Sequence, residues 1–288
     1  MALVLHVACL ALALWEPTEA AEGAAPVVWH DDYAAARESA RLARKPLLVW
    51  FMSPADELAS AKFQAEVLNQ TPIAERIRES LVAARVPLAA ESSDDAKMGR
   101  LIDHEAFAEL RGKAGLAIID FSDSAAPTFG CVVSIYPFTR GTISAEHMTV
   151  LLNLPPGTLT QRTLIFAVRT HHDQPASATN DMHPLLATEA AAHSRHQASI
   201  NFQGHHTWDA RFQSINARLP AGCVSYEVCA ESWPGQSLLD AAHECVDSWR
   251  QSSGHWGQVS RQAEYYGFDM QRGTSGVWYA TGIFGRRR

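Results

Sequence analysis

The segment Leu154-Pro155-Pro156-Gly157 constrains this 288-residue chain more than any other. Adjacent prolines lack backbone N–H groups and fix φ, so neither a helix nor a strand ladder runs through them. The glycine that follows favours a turn. The chain is therefore expected to divide into two units, residues 26–154 and 158–286, joined by a short stiff linker that keeps them in contact. Each part is long enough for a domain. With 47% hydrophobic and 19% charged residues, each can bury a core.

Ahead of the first unit, residues 2–14 (ALVLHVACLALAL) form an apolar run followed by the small-residue site Thr18-Glu19-Ala20. Residues 1–20 read as a signal peptide, although no Lys or Arg precedes the run. The run is too short for a transmembrane helix, which needs about 20 apolar residues. The expected location is secreted, periplasmic or otherwise extracytoplasmic.

Residues 26–154 alternate helix and strand patterns. Helices are predicted over Asp31 to Ala43, Ala55 to Asn69, Pro72 to Ser80, Asp103 to Arg111 and Ala145 to Leu152. Strands are predicted at Leu47 to Phe51, Leu81 to Val86, Ala117 to Phe121 and Gly130 to Tyr136. The continuous apolar run LLVWF suits a buried central strand. This order resembles the thioredoxin fold over roughly 120 residues. Where that family carries Cys-x-x-Cys, this chain has Met52-Ser53-Pro54-Ala55-Asp56-Glu57-Leu58. Lys113-Ala114-Gly115-Leu116 replaces the usual proline before the later hairpin. Thiol–disulfide exchange needs a thiolate, so the unit is expected to scaffold or bind.

The second unit holds most of the candidate chemistry. Nine of the 13 histidines lie at or beyond His171. Helices are predicted over Thr158 to His171, His183-Pro184 to Phe202, Asp209 to Ala217 and Ser237 to Arg250. A hairpin is predicted from Tyr265 to Met270 and Val277 to Phe284. Glu231 precedes the Ser237–Arg250 helix. His255 follows it in a Ser252-Ser253-Gly254-His255 turn, so a carboxylate and an imidazole can share a cleft if the chain folds back.

The ordered set from Leu164–Arg169, through Leu186, Ala190, Ser194, His205 and Glu231-Ser232-Trp233, to Trp249-Arg250-Gln251-Ser252-Ser253-Gly254-His255 and Tyr266-Gly267-Phe268 resembles the CAP superfamily. That group comprises cysteine-rich secretory and pathogenesis-related proteins, and the likeness is to its bacterial branch. The resemblance implies an α-β-α sandwich in which His205, Glu231 and His255 line a ligand cleft. The overall expectation is an α/β chain with a thioredoxin-like domain ahead of a CAP-like one. His206 competes with His205 by one position, Glu227 is a fallback four residues before Glu231, and Ser252 stands where many relatives carry a second glutamate.

Two imidazoles and a carboxylate form a common zinc ligand set. Metal at His205, His255 and Glu231, with a divalent cation such as zinc, is one reading; a structural hydrogen-bond network is another. The expected function is a non-redox binding or interaction protein for a small-molecule, lipid or cell-envelope ligand. The alternative is a metal-dependent hydrolase acting on peptide or cell-wall material. His193 and His196 share a helix face and either extend a metal site or are solvated. The tryptophans are mostly core; any that line the cleft favour a flat amphipathic ligand.

The net charge of -7 gives no reason to expect nucleic acid as a partner. After leader removal Cys131, Cys223, Cys229 and Cys245 remain, and three pairings are open. One disulfide in the second half, with Cys131 buried and free, is the expected arrangement.

Overall fold

A computed structural model of the chain describes residues 26–91, 99–139 and 141–287. The expected leader lies outside them. The first half runs β1 (Trp29–His30), α1 (Tyr33–Ala43), β2 (Leu47–Met52), α2 (Glu57–Phe63), α3 (Thr71–Ser80), β3 (Val82–Pro87), β4 (Gly115–Ile119), β5 (Val132–Pro137) and α4 (Ala145–Leu152). The second half runs α5 (Leu159–Arg169), β6 (Asp181–Met182), α6 (Pro184–Ile200), α7 (Trp208–Asn216), β7 (Cys223–Glu231), α8 (Leu238–Gln251), α9 (Ser253–Val259), β8 (Tyr265–Arg272) and β9 (Trp278–Arg287). Among the described residues no helix is long and apolar enough to cross a membrane.

Five strands form the first sheet in the order β1-β3-β2-β4-β5. β3 is parallel to both β1 and β2, while β4 pairs antiparallel with β2 and β5. Leu47 to Phe51 are all buried, because helices and loops cover both faces. The helix expected over Ala55 to Asn69 is divided into a 3₁₀ turn at Pro54–Asp56, α2 and a π-helical turn at Gln64–Leu68. The one expected over Asp103 to Arg111 is instead two 3₁₀ segments, Leu101–Asp103 and Glu105–Leu110, ending at Arg111 in the left-handed region.

The second sheet has the order β6-β8-β9-β7, with β6 parallel to β8 and the other pairs antiparallel. α5 and α8 pack in the cluster containing Val228, Phe268 and Phe284. Leu186 and Ala190 of α6 and Ile215 of α7 pack with Ile283 and Cys223 in another. Side-chain caps start these helices: Thr158 on α5 with a reciprocal Gln161, His183 on α6 ahead of Pro184, and Ser237 on α8. β7 is an edge strand that the sequence pattern does not announce.

Leu154–Gly157 separates two sheets but not two cores. Leu48 and Ile118 of the first half belong to the same buried cluster as Leu164, Trp249 and Phe284 of the second. Phe166 of α5 meets Tyr136 of β5 edge-on, with ring centroids 5.9 Å apart. Polar links reinforce the junction. The Glu109 carboxylate accepts from Leu238 N at 2.8 Å, placing a negative charge at the start of α8. Arg111 Nη2 donates to Gly235 O at 3.2 Å.

The cysteine expectation fails. Cys131, Cys223, Cys229 and Cys245 are all unpaired, and Cys131 is exposed rather than buried. Cys223 and Cys229 lie on one strand six residues apart, about 20 Å at ordinary strand rise and far beyond bonding reach. Cys245 sits in the α5–α8 core cluster.

Candidate functional site

The site assembles from three places in the second half. α6 ends at Asn201 in the left-handed conformation, which turns the chain into the loop carrying His205. β7 supplies Glu227. Ser252 ends α8 and caps α9, accepting from His255 N, so His255 sits in the first turn of a second helix rather than in a free turn.

His205 Nδ1 lies 3.0 Å from Glu227 Oε1, and His205 Nε2 lies 3.3 Å from His255 Nε2. Arg211 of α7 reaches Glu227 Oε2 at 2.5 Å, as an ion pair whose N–H groups are not well aligned for a hydrogen bond. The Glu227 side chain is fully buried, while that of His205 is 41% exposed. Burial alone would raise the Glu227 pKa. The His205 hydrogen bond and the Arg211 cation outweigh it and hold the carboxyl below its ordinary value.

An ionised Glu227 fixes the proton on His205 Nδ1, since a carboxylate only accepts. In the neutral tautomer so fixed, the Nε2 lone pair of His205 is the atom that faces His255. Burial, followed by the neighbouring His205 charge, lowers the pKa of His255, which keeps it neutral at pH 7. Two chemistries suit the facing nitrogens. His255 Nε2–H can donate to His205, or both lone pairs can meet one cation. Ligand nitrogens on a tetrahedral zinc, each about 2.0–2.1 Å from the metal, stand about 3.3 Å apart. The carboxylate behind His205 is the outer-shell partner that orients metal-binding histidines and raises their basicity.

Glu231 does not join this group. It is exposed at the end of β7, four residues beyond Glu227 and therefore about 13 Å further along the strand. The carboxylate at the histidines is thus Glu227. His206 turns away, with Nε2 3.2 Å from Phe202 O and its ring against those of Phe202 and His196.

The sequence gives no sign of Arg211, and it leaves His193 as either a metal-site extension or a solvated side chain. Arg211 supplies the counter-charge to Glu227 from a helix 16 positions earlier, and no local spacing signals that pairing. His193 is buried, donates from Nε2 to Gly204 O at 2.9 Å, and so pins the loop that carries His205. Burial above all drives its pKa down to about 4, so it is neutral at pH 7. Its helix neighbour His196 is exposed. His193, Glu227 and Cys229 place ligand-type atoms within 4.8 Å of one another. That trio is committed elsewhere: Arg211 holds Glu227, Gly204 holds His193, and burial pushes the Cys229 thiol well above its ordinary pKa.

Of the five late tryptophans, Trp249 and Trp278 are core, Trp208 and Trp256 are partly exposed, and Trp233 is 67% exposed. Trp208 stacks on the Arg211 guanidinium at 5.4 Å and so borders the site.

No protein-family model matches the chain, and no curated protein matches it. Among solved structures it is similar to an outer surface protein from Borrelia burgdorferi, with 16% identity and a TM-score of 0.31, over 38% of this chain and 78% of that one. It is also similar to a DsbH oxidoreductase, with 20% identity and a TM-score of 0.31, over 46% of this chain and 87% of that one.

Proposed function

We propose that the chain is an exported binding protein whose His205–His255 cleft takes a divalent cation of the zinc class. The cation would present its remaining positions to a small-molecule, lipid or cell-envelope ligand. In this reading the second half is a CAP-like unit, supported by a four-stranded sheet with helices on both faces. The first half is a thioredoxin-like unit without redox chemistry. Its strand order supports that assignment, as does the absence of thiols at Met52 to Leu58. The observation that carries the proposal is the 3.3 Å separation of the two Nε2 atoms, with His205 Nδ1 anchored on a buried carboxylate.

Binding is favoured over the alternative, hydrolysis of peptide or cell-wall material. Hydrolysis needs a base within reach of the activated water. Glu227 lies on the far side of the His205 ring, with its oxygens engaged by His205 and Arg211. Ser252, where a second carboxylate would help, is a helix cap.

Calorimetry and elemental analysis of the purified protein with zinc test the proposal. One equivalent should bind, and His205→Ala and His255→Ala should each abolish it. Glu227→Gln should weaken it by about 10–100-fold, as loss of an outer-shell partner does. A wild-type protein that takes up no stoichiometric zinc, or a His205→Ala/His255→Ala variant that still does, overturns it.

A further inference from the structure

A cavity of about 200 Å³ lies where the two halves meet, lined by Arg76 and Ser80 of α3, Asp120 and Ser122 beyond β4, and Arg162 of α5. Arg162 is 8% exposed. Each of its hydrogen bonds goes to an uncharged oxygen: Ser134 Oγ at 2.8 Å, Pro155 O at 2.8 Å, Leu154 O at 3.0 Å and Leu151 O at 3.4 Å. The three carbonyls belong to the C-terminal end of α4 and the segment after it, which offers partial negative charge but no counter-ion. A guanidinium has five N–H groups, so one Nη2–H is left over beside the longest of these bonds.

Arg76 is exposed, and among the described residues it too has no carboxylate partner. Its hydrogen bonds run to Ser80 Oγ at 2.9 Å and Leu152 O at 3.5 Å, again without a carboxylate. The carboxylate on the cavity wall is that of Asp120, and its oxygens are taken by Ser122 N at 2.9 Å, Ser122 Oγ at 2.5 Å and Thr128 Oγ1 at 2.7 Å. Two guanidiniums against one carboxylate leave the cavity with one net positive charge. Burial without an ion-paired partner drives the Arg162 pKa down to about 10. The rest of the wall is apolar, with Ile118, Val133 and Leu154 among its residues.

We propose that this cavity binds a short aliphatic monocarboxylate, with its oxygens between Arg76 and Arg162 and its hydrocarbon end against the apolar wall. One net positive charge matches a monoanion better than a phosphate dianion, which Asp120 opposes. A cavity of about 200 Å³ has room for a molecule of several heavy atoms. Charge-assisted, two-pronged binding of carboxylate is what guanidinium geometry favours. Because α3 belongs to the first half and α5 to the second, a bound carboxylate bridges the junction and stiffens it.

Butyrate, 1-butanol and inorganic phosphate titrated into the full protein, followed by calorimetry and thermal melting, test this. Butyrate is expected to bind saturably and raise Tm. Butanol is expected to do neither, and phosphate to bind at least about tenfold more weakly. Arg76→Met alters an exposed side chain. It should leave the ligand-free Tm in place while weakening butyrate about tenfold, the loss of one charge-assisted contact. Asp120→Asn should tighten it. No saturable butyrate binding up to about 50 mM, where a millimolar site is filled, overturns the proposal. So does phosphate binding as tight as butyrate, or unchanged butyrate affinity in both variants.

Discussion

Glu227 and Arg162 are both less than 9% exposed, and the fold stabilises the two charges in different ways. Glu227 is compensated by other titratable groups, the Arg211 cation and the His205 imidazole. Arg162 hydrogen-bonds only to dipoles, a serine hydroxyl and three carbonyls, and the Asp120 charge acts on it without a hydrogen bond. The consequence shows in acidity: the Glu227 carboxyl stays ionised below its ordinary pKa despite burial, while the Arg162 guanidinium is pushed down to about 10. A charge held by a counter-charge is locally neutral and can orient a neighbour, as Glu227 orients His205. One held by dipoles keeps a net field, which a diffusible anion can answer.

The largest expected effect separates these cases. Arg211→Met leaves a buried carboxylate without its cation and should cost about 3–5 kcal/mol in urea unfolding. Adding Glu227→Gln should restore much of that, a strong coupling in a double-mutant cycle. Arg162→Met strips partners only from neutral oxygens and should cost about 1–3 kcal/mol. Pairing it with Asp120→Asn should show weaker coupling, because Asp120 acts on Arg162 through charge without a hydrogen bond. Equal coupling in both cycles would mean that Asp120, not the carbonyls, compensates Arg162.

Next in size is a pH effect centred on His193. Its folded pKa of about 4 lies below the ordinary 6.5, so the unfolded chain binds a proton that the folded one refuses. The resulting stability is present above pH 6.5 and is lost as pH falls toward 4, by about 3 kcal/mol at most. Glu227 is also depressed, so its contribution is present above its unfolded value and lost at lower pH as it protonates. Urea midpoints between pH 7 and pH 4 should therefore fall before the carboxyl range is reached. His193→Gln keeps a donor for Gly204 but does not titrate, and should flatten that part of the curve. An unchanged slope would mean that another group carries it.

Much of the fold was legible in the sequence for reasons that lie in these particular residues. β2 reads as a continuous apolar run because both of its faces are covered. α5, α6 and α8 announce themselves through Thr158, His183-Pro184 and Ser237. β7 was not legible, since CVSYEVCAE carries a buried glutamate and buries Val228, Cys229 and Ala230 consecutively, which erases a clean alternation. The site was half legible. His205 is reached only through the resemblance to the CAP superfamily, and His255 through that resemblance and its place just beyond α8; Glu227 and Glu231 lie on the same face of β7, two side-chain periods apart, and only the tertiary position of α7 and the His205 loop selects between them. Arg211 and His193 act through space, and the 3₁₀ and π segments near Pro54 and Gln64 reflect packing that local propensity does not encode.

The smallest effects concern two of the positions that the sequence offers for the cleft and the geometry leaves out. Ser252→Ala removes the cap of α9, whose hydroxyl accepts from His255 N at 3.4 Å, and should cost about 1 kcal/mol. Zinc stoichiometry should stay at one, because the His255 and His205 rings that would hold the cation are untouched. Glu231→Gln, at an exposed strand end, should change stability by less than about 0.5 kcal/mol and leave zinc affinity untouched. Set beside Glu227→Gln, this pair measures how far a carboxylate's role follows from its partners rather than from its place in a motif. If Glu231→Gln weakened zinc as much as Glu227→Gln did, the orienting role assigned to the buried carboxylate would fall, and its compensation by Arg211 would be a matter of stability alone.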